Sequence, residues 1–220
     1  MSNHSPGGST MITDGLNPFT VLLFAGAVLA GAALIVLYVI ARVAKREPLA
    51  RTTLRALLGG AGLYLLLFLG ASVFSHNRVL APGEEKHICE IDCHLAYAVE
   101  SSKSESLTSG LVRHTVTVKV RFDEETISSR RPRDATLTPN SRYVALVDDA
   151  GHQYPGSTDG LKRKLIPGES YTTDIVFEVP ADAKDLRLLL RNNDPETAFI
   201  IGHENSLLHG KTTFALLKAS

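Results

Sequence analysis

His87, Cys89, Cys93 and His94 fall within eight residues, and thiolate together with imidazole is the ligand set that copper and zinc prefer. Two cysteines three residues apart also suit thiol redox chemistry, provided the backbone brings the sulfurs together. In a straight strand it does not. There His87, Cys89, Ile91, Cys93, Leu95, Tyr97 and Val99 point one way, while Ile88, Glu90, Asp92, His94, Ala96 and Ala98 point the other. The two cysteines then stand about 13 Å apart, too far to bond or to share a metal. This alternation reads as one core strand over 87–99, with Glu90, Asp92 and His94 as an outward polar row. A turn across 90–92 would reverse that. Three states are therefore open: buried core cysteines, a disulfide, or a copper, zinc or redox site on Cys89, Cys93 and His94.

The Cys-x3-Cys spacing resembles the binuclear copper loop of cytochrome oxidase subunit II, but Tyr97 stands where that loop needs a histidine. Met1 and Met11, both far away in sequence, are the only methionines. Thioredoxin-like copper-delivering factors pair Cys-x3-Cys with a distant histidine, a role open here to His203 or His209. Their fold alternates strands with helices, which this sequence does not. His76 reads as an interfacial residue where the second apolar stretch ends, and His114, His152, His203 and His209 have no ligand-like spacing of their own. No Gly-x-Ser-x-Gly elbow marks a nucleophile, and the expectation is a protein that is not an enzyme.

Two uncharged apolar stretches precede this segment, at 19–41 and 56–75. At about 1.5 Å per residue they reach roughly 35 and 30 Å, enough for each to cross a hydrocarbon core of about 30 Å. The connector 42–55 carries Arg42, Lys45, Arg46, Arg51 and Arg55 against Glu47, while residues 1–18 hold no Lys or Arg. The positive-inside bias places the connector in the cytoplasm and both chain ends outside. A cleaved signal peptide is not expected, since the first run lacks a basic n-region and exceeds the usual apolar length. Gly26, Ala30 and Gly31 in one stretch and Gly59, Gly60, Gly62 and Gly70 in the other allow close helix approach. Neither stretch carries an ionisable side chain, which argues against a two-span pump or proton path.

Beyond residue 77 short alternating segments are broken by Gly, Pro, Asn and Asp, the form of an antiparallel β domain. Strands are expected at 87–99, 112–122, 142–148, 152–155, 171–179, 185–191 and 212–218. The second is the clearest, with Val112, His114, Val116, Val118, Val120 and Phe122 on one face. Residues 101–110 read as a Ser-rich hairpin connection, and 123–142 as a long loop whose Arg130, Arg131 and Arg133 could meet lipid headgroups or an acidic partner. Residues 193–210 read as an irregular loop of the kind that carries binding surfaces. The domains expected are a tail at 1–18, a hairpin of two transmembrane helices at 19–76, a tether at 77–85 and an antiparallel β-sandwich at 86–220.

The run from "LVDDAGHQY" through "LIPGESYTTDIVFEVP" to "LRLLL" resembles the bacterial immunoglobulin-like domain of unknown function found on lipoproteins and membrane-anchored surface proteins. The likeness covers about 112–218 and rests on an Asp-Gly hairpin, a Pro-Gly turn and a strand ending in Val-Pro. It implies a membrane-anchored all-β protein whose sandwich is immunoglobulin-like and acts by binding rather than catalysis. "HICEIDCHLAYAV" lies outside that pattern.

Formal net charge is zero, and no clustered cationic face speaks for nucleic acid. The partners expected are the lipid bilayer and a protein of the cell envelope, in the inner membrane of a bacterium with the main domain extracytoplasmic. Two alternatives remain beside that module: a membrane-tethered copper-binding or thiol-redox factor, and an accessory subunit of a larger membrane complex.

Overall fold

The computed structural model describes residues 12–15, 17–89, 93–108, 110–128, 132–139 and 142–217. They form two compact units. One comprises Gly15–Arg78 with Asn193–Thr212; the other comprises residues 12–14, Val79–Asn192 and the chain from Thr213.

In the first unit, α1 (Pro18–Val43) starts where the Asn17 side chain accepts the Phe19 N–H at 2.9 Å and Pro18 supplies a preset φ. It ends at Ala44, followed by Lys45 at φ 55°. A short turn, bridged by Arg42 and Glu47 at 2.9 Å, leads into α2 (Glu47–Val73), again with a proline in the first turn. On α1 the more shielded positions Thr20, Phe24, Ala27, Gly31, Leu34, Tyr38 and Ala41 recur in steps of four and three. That is the seam of two helices packed side by side. The opposite flanks are bare: Leu22 is 71% and Leu66 72% exposed. Both helices are long and apolar enough to cross a membrane.

The second unit is two sheets on a shared core. Its strands are β1 (Arg78–Leu80), β2 (Lys86–Ile88), β3 (Leu95–Ser106), β4 (Leu111–Phe122), β5 (Arg142–Val147), β6 (Gln153–Pro155), β7 (Ser170–Pro180), β8 (Arg187–Asn192) and β9 (Thr212–Ala215). One sheet has the order β2-β3-β4-β7 and the other β1-β9-β8-β5-β6. Tyr97, Val118, Val120, Phe122 and Phe177 from the first meet Leu80, Val144, Leu146, Leu188 and Phe214 from the second. The alternation expected in β4 is realised, with Val116, Val118, Val120 and Phe122 buried. Gly151 and Gly168 take φ of 87° and 83° in the turns that the Asp-Gly and Pro-Gly signals marked.

Four expectations are corrected. Residues 87–99 are not one strand: the chain reverses after β2, and Ile88 pairs with Leu95 of β3. Residues 101–106 continue β3 rather than forming a loop, because they pair with 112–117 of β4 across a bulge between Val99 and Ser101. The segment expected as a tether contains β1. Residues 193–210, expected to be a loop of the sheet domain, instead belong to the unit of α1 and α2.

Candidate functional site

The reversal between β2 and β3 gathers the residues singled out in the sequence. Cys89 and Cys93 are joined by a disulfide with their Cα atoms 4.1 Å apart, so the reversal replaces the 13 Å separation of a straight strand. Glu90 and Asp92 lie outside the described residues. In the bonded form neither sulfur offers a thiolate to a metal. Cys89 is buried and Cys93 half-buried.

His87, on β2, places Nε2 3.0 Å from Oδ2 of Asp123, which follows β4 directly. Oδ1 of the same carboxylate lies 3.1 Å from Arg121 and also accepts the Glu125 N–H, while Arg121 grips Glu85 through two hydrogen bonds of 2.9 and 2.6 Å. The four side chains form one line, Glu85, Arg121, Asp123 and His87, from half-exposed to buried. Because an ionised carboxylate only accepts, the His87 ring donates from Nε2; its Nδ1 is buried and has no hydrogen-bond partner among the described residues.

His94 lies against the ring of Phe122, with centroids 5.8 Å apart, and its Nδ1 is 2.6 Å from the Thr126 hydroxyl. That hydroxyl donates its single proton to the Asp123 carbonyl, so His94 must give a proton from Nδ1. Its backbone carbonyl accepts the Asp123 N–H.

Electrostatics follow this geometry. Burial works to raise the Asp123 carboxyl, but hydrogen bonds from His87, Arg121 and the Glu125 backbone outweigh it and hold the group below the usual carboxylate range. The Arg121 hydrogen bond does the same for Glu85 against a smaller effect of burial. Residues 12–14 close the edge of β2: the His87 N–H donates to the Ile12 carbonyl, the Asp14 N–H to the His87 carbonyl and the Cys89 N–H to the Asp14 carboxylate. Nothing in the spacing of residues 12–14 signals this contact.

Two further features escaped the sequence reading. Lys86 is fully buried and reaches across the core to donate to the Leu190 carbonyl on β8 at 2.7 Å. Nearby Arg142 donates to the Tyr97 hydroxyl at 2.9 Å while lying over its ring. Elsewhere an open groove of about 410 Å³ is lined by Lys103, His114, Asp185 and Arg187 among others, where burial lowers the His114 pKa. Of the basic cluster, Arg133 is exposed, and Arg130 and Arg131 lie outside the described residues.

Cys89, Cys93 and His94 are thus neighbours in sequence with separate employments. The sulfurs bond each other, and the imidazole bonds Thr126. Among the described residues no group of three or more His, Cys, Asp or Glu side chains is placed to hold a metal ion. His203 and His209 belong to the other unit.

No protein-family model matches the chain, and no curated protein matches it. Among solved structures it is similar to MPT63, a secreted protein of Mycobacterium tuberculosis, at 13% identity and a TM-score of 0.41, covering 64% of this chain and 98% of that one. It is similar also to a conserved hypothetical protein of Bacillus anthracis, at 14% identity and a TM-score of 0.35, covering 50% of this chain and 87% of that one. At these scores the likenesses carry no argument about activity.

Proposed function

We propose that this chain is a bacterial membrane-anchored module that presents an immunoglobulin-like sandwich outside the cytoplasm and works by binding or assembly contacts with a protein partner. The observation that carries the reading is the Cys89–Cys93 disulfide in a chain whose two apolar helices have exposed apolar flanks and a basic connector. Disulfides persist in oxidising compartments, and the positive-inside bias puts the basic connector itself on the cytoplasmic side. The residues that could have done chemistry are spent on structure. The disulfide closes the β2–β3 reversal, and the line from Glu85 to His87 ties it to the end of β4.

A copper or zinc site on Cys89, Cys93 and His94 would first require reduction of the disulfide and release of His94 from Thr126. The test uses the full chain in cells. Protease added to spheroplasts is expected to digest the sheet domain and spare an epitope in the connector 42–55. Cross-linking in mild detergent is expected to capture a protein partner in stoichiometric amount. Protection of the domain, or turnover by the purified chain in hydrolase or thiol-oxidoreductase assays, would overturn the reading.

A further inference from the structure

Between residues 197 and 208 three large apolar side chains face outward while Ile200 alone of the large apolar ones is buried, and Glu196 just before them is exposed. Phe199, Leu207 and Leu208 are 61%, 65% and 68% exposed, whereas Thr197, His203, Glu204 and Ser206 are buried. A water-facing loop shows the reverse arrangement. Leu208 is also held at φ 62°, a conformation disfavoured for a bulky side chain. The fold accepts that cost in order to turn two adjacent leucines outward.

Part of the backbone is hydrogen-bonded within the segment. Thr197 donates to Asp194, Ile200 to Thr197, His203 to Ile200, Ser206 to His203 and His209 to Ser206, one turn after another at steps of three. The Ser206 hydroxyl donates to the Ile200 carbonyl, and the Lys211 ammonium donates to the carbonyls of Glu204 and Ser206. Irregular backbone at membrane depth is tolerated where its polar groups are satisfied within the protein.

The segment is also fastened to α2. Gly210 N–H donates to the Ser75 hydroxyl at 2.6 Å and Lys211 N–H to the Asn77 side chain at 2.8 Å, at the helix exit. Further down, the Tyr64 hydroxyl donates to the Phe199 carbonyl at 2.7 Å. Tyr64 lies nine positions before Val73, the last residue of α2, about 14 Å along the axis. Phe199 therefore lies well below the end of α2, beside a helix whose free flank is leucine.

We propose that residues 195–208 are seated in the bilayer leaflet at the exit of α2, with Phe199, Leu207 and Leu208 inserted among acyl chains. The proposal rests on the reading that α1 and α2 span a membrane. The partner is lipid because Phe199 is bonded to Tyr64 beside the exposed Leu63 and Leu67 of α2, and because the segment turns its large apolar side chains outward while bonding part of its backbone within itself. The segment adds an interfacial wedge to the hairpin, widening its footprint at that leaflet.

The chain contains no tryptophan, so single reporters can be introduced into the full-length protein. Phe199→Trp and Leu207→Trp are compared with Leu66→Trp on the bare flank of α2 and Val176→Trp on the exposed face of β7, each reconstituted in phosphatidylcholine and phosphatidylglycerol vesicles. Brominated acyl chains are expected to quench Phe199→Trp and Leu207→Trp at least half as strongly as Leu66→Trp, with aqueous iodide quenching only Val176→Trp. If Leu66→Trp is quenched by lipid while the other two follow Val176→Trp, the wedge is refuted and the spanning reading stands. If Phe199→Trp and Leu207→Trp are shielded from both quenchers, a protein surface covers them and the proposal falls. If Leu66→Trp escapes lipid quenching as well, the spanning reading fails and takes the wedge with it.

Discussion

His87 Nε2 and Asp123 Oδ2 meet at 3.0 Å with both side chains more than nine-tenths buried, which joins the strand entering the disulfide loop to the segment leaving β4. Asp123 is the hub, since it also holds Arg121 and the Glu125 N–H. Asp123→Asn removes the charge and leaves one of these donors unmatched. The expected cost is about 2 kcal/mol, read as a lower thermal midpoint of the full-length protein in detergent; an unchanged midpoint would show that the pair does not support the fold.

The same carboxylates set an acid limit. Asp123 and Glu85 are both depressed in the folded protein, so their contribution is complete above the unfolded carboxylate range of about 4 and is lost as pH falls through the lower folded values. Stability of the sheet domain is expected to fall below about pH 4 and to level off once both groups are protonated. Glu85→Gln is expected to flatten part of that slope in a pH series of urea midpoints. An identical slope in the variant would assign the acid sensitivity to other groups.

Cys89→Ser tests the loop closure. A disulfide bridging four residues removes only a small loop from the unfolded ensemble, roughly 2 kcal/mol. The variant is therefore expected to keep β3, β4 and β7 protected from hydrogen exchange while the backbone around 86–95 exchanges faster. Global loss of protection would mean that the bridge does more than close its own turn.

Gly210 tests the fastening of residues 193–212. A methyl group added there would run into the carbonyl of His76, so Gly210→Ala must push the segment away from the α2 exit. Amides of 197–209 are expected to exchange on the order of tenfold faster, equivalent to about 1.4 kcal/mol, with β4 unaffected. Equal exchange in both proteins would show that the anchorage lies elsewhere, at Tyr64.

Much of the sheet domain was legible because its strands are half-buried and carry period-two alternation: β4, β5 and β7 fall close to where Val116 to Phe122, Tyr143 to Val147 and Ile175 to Val179 place them. The front of the domain misleads for the same reason. Lys86 and Ile88 face the core from β2, whereas Leu95, Tyr97 and Val99 do so from β3, so the inward set changes parity across the reversal. A continuous alternation of odd-numbered residues hides that change. Cys89 and Cys93 meet because Ile88 pairs with Leu95, a tertiary fact with no local signature. Phe199 and Leu207 were equally opaque. An apolar side chain in an irregular stretch reads as inward, although here His203 and Glu204 are the buried residues.

The hydrogen bonds from residues 12–14 to His87 and Cys89 also constrain how the chain matures. These residues lie immediately upstream of α1 yet complete the edge of β2, so the stretch from Gly15 to the end of α2 is a loop whose two ends return to one domain. Were α1 and α2 to span a membrane, both ends of this loop would lie on one side of it. A peptidase cut after α1 would carry off the strip that pairs with β2, leaving the His87 N–H and carbonyl and the Cys89 N–H without those partners beside the disulfide. An intact strip at residues 12–14 is therefore a condition for the finished edge of β2.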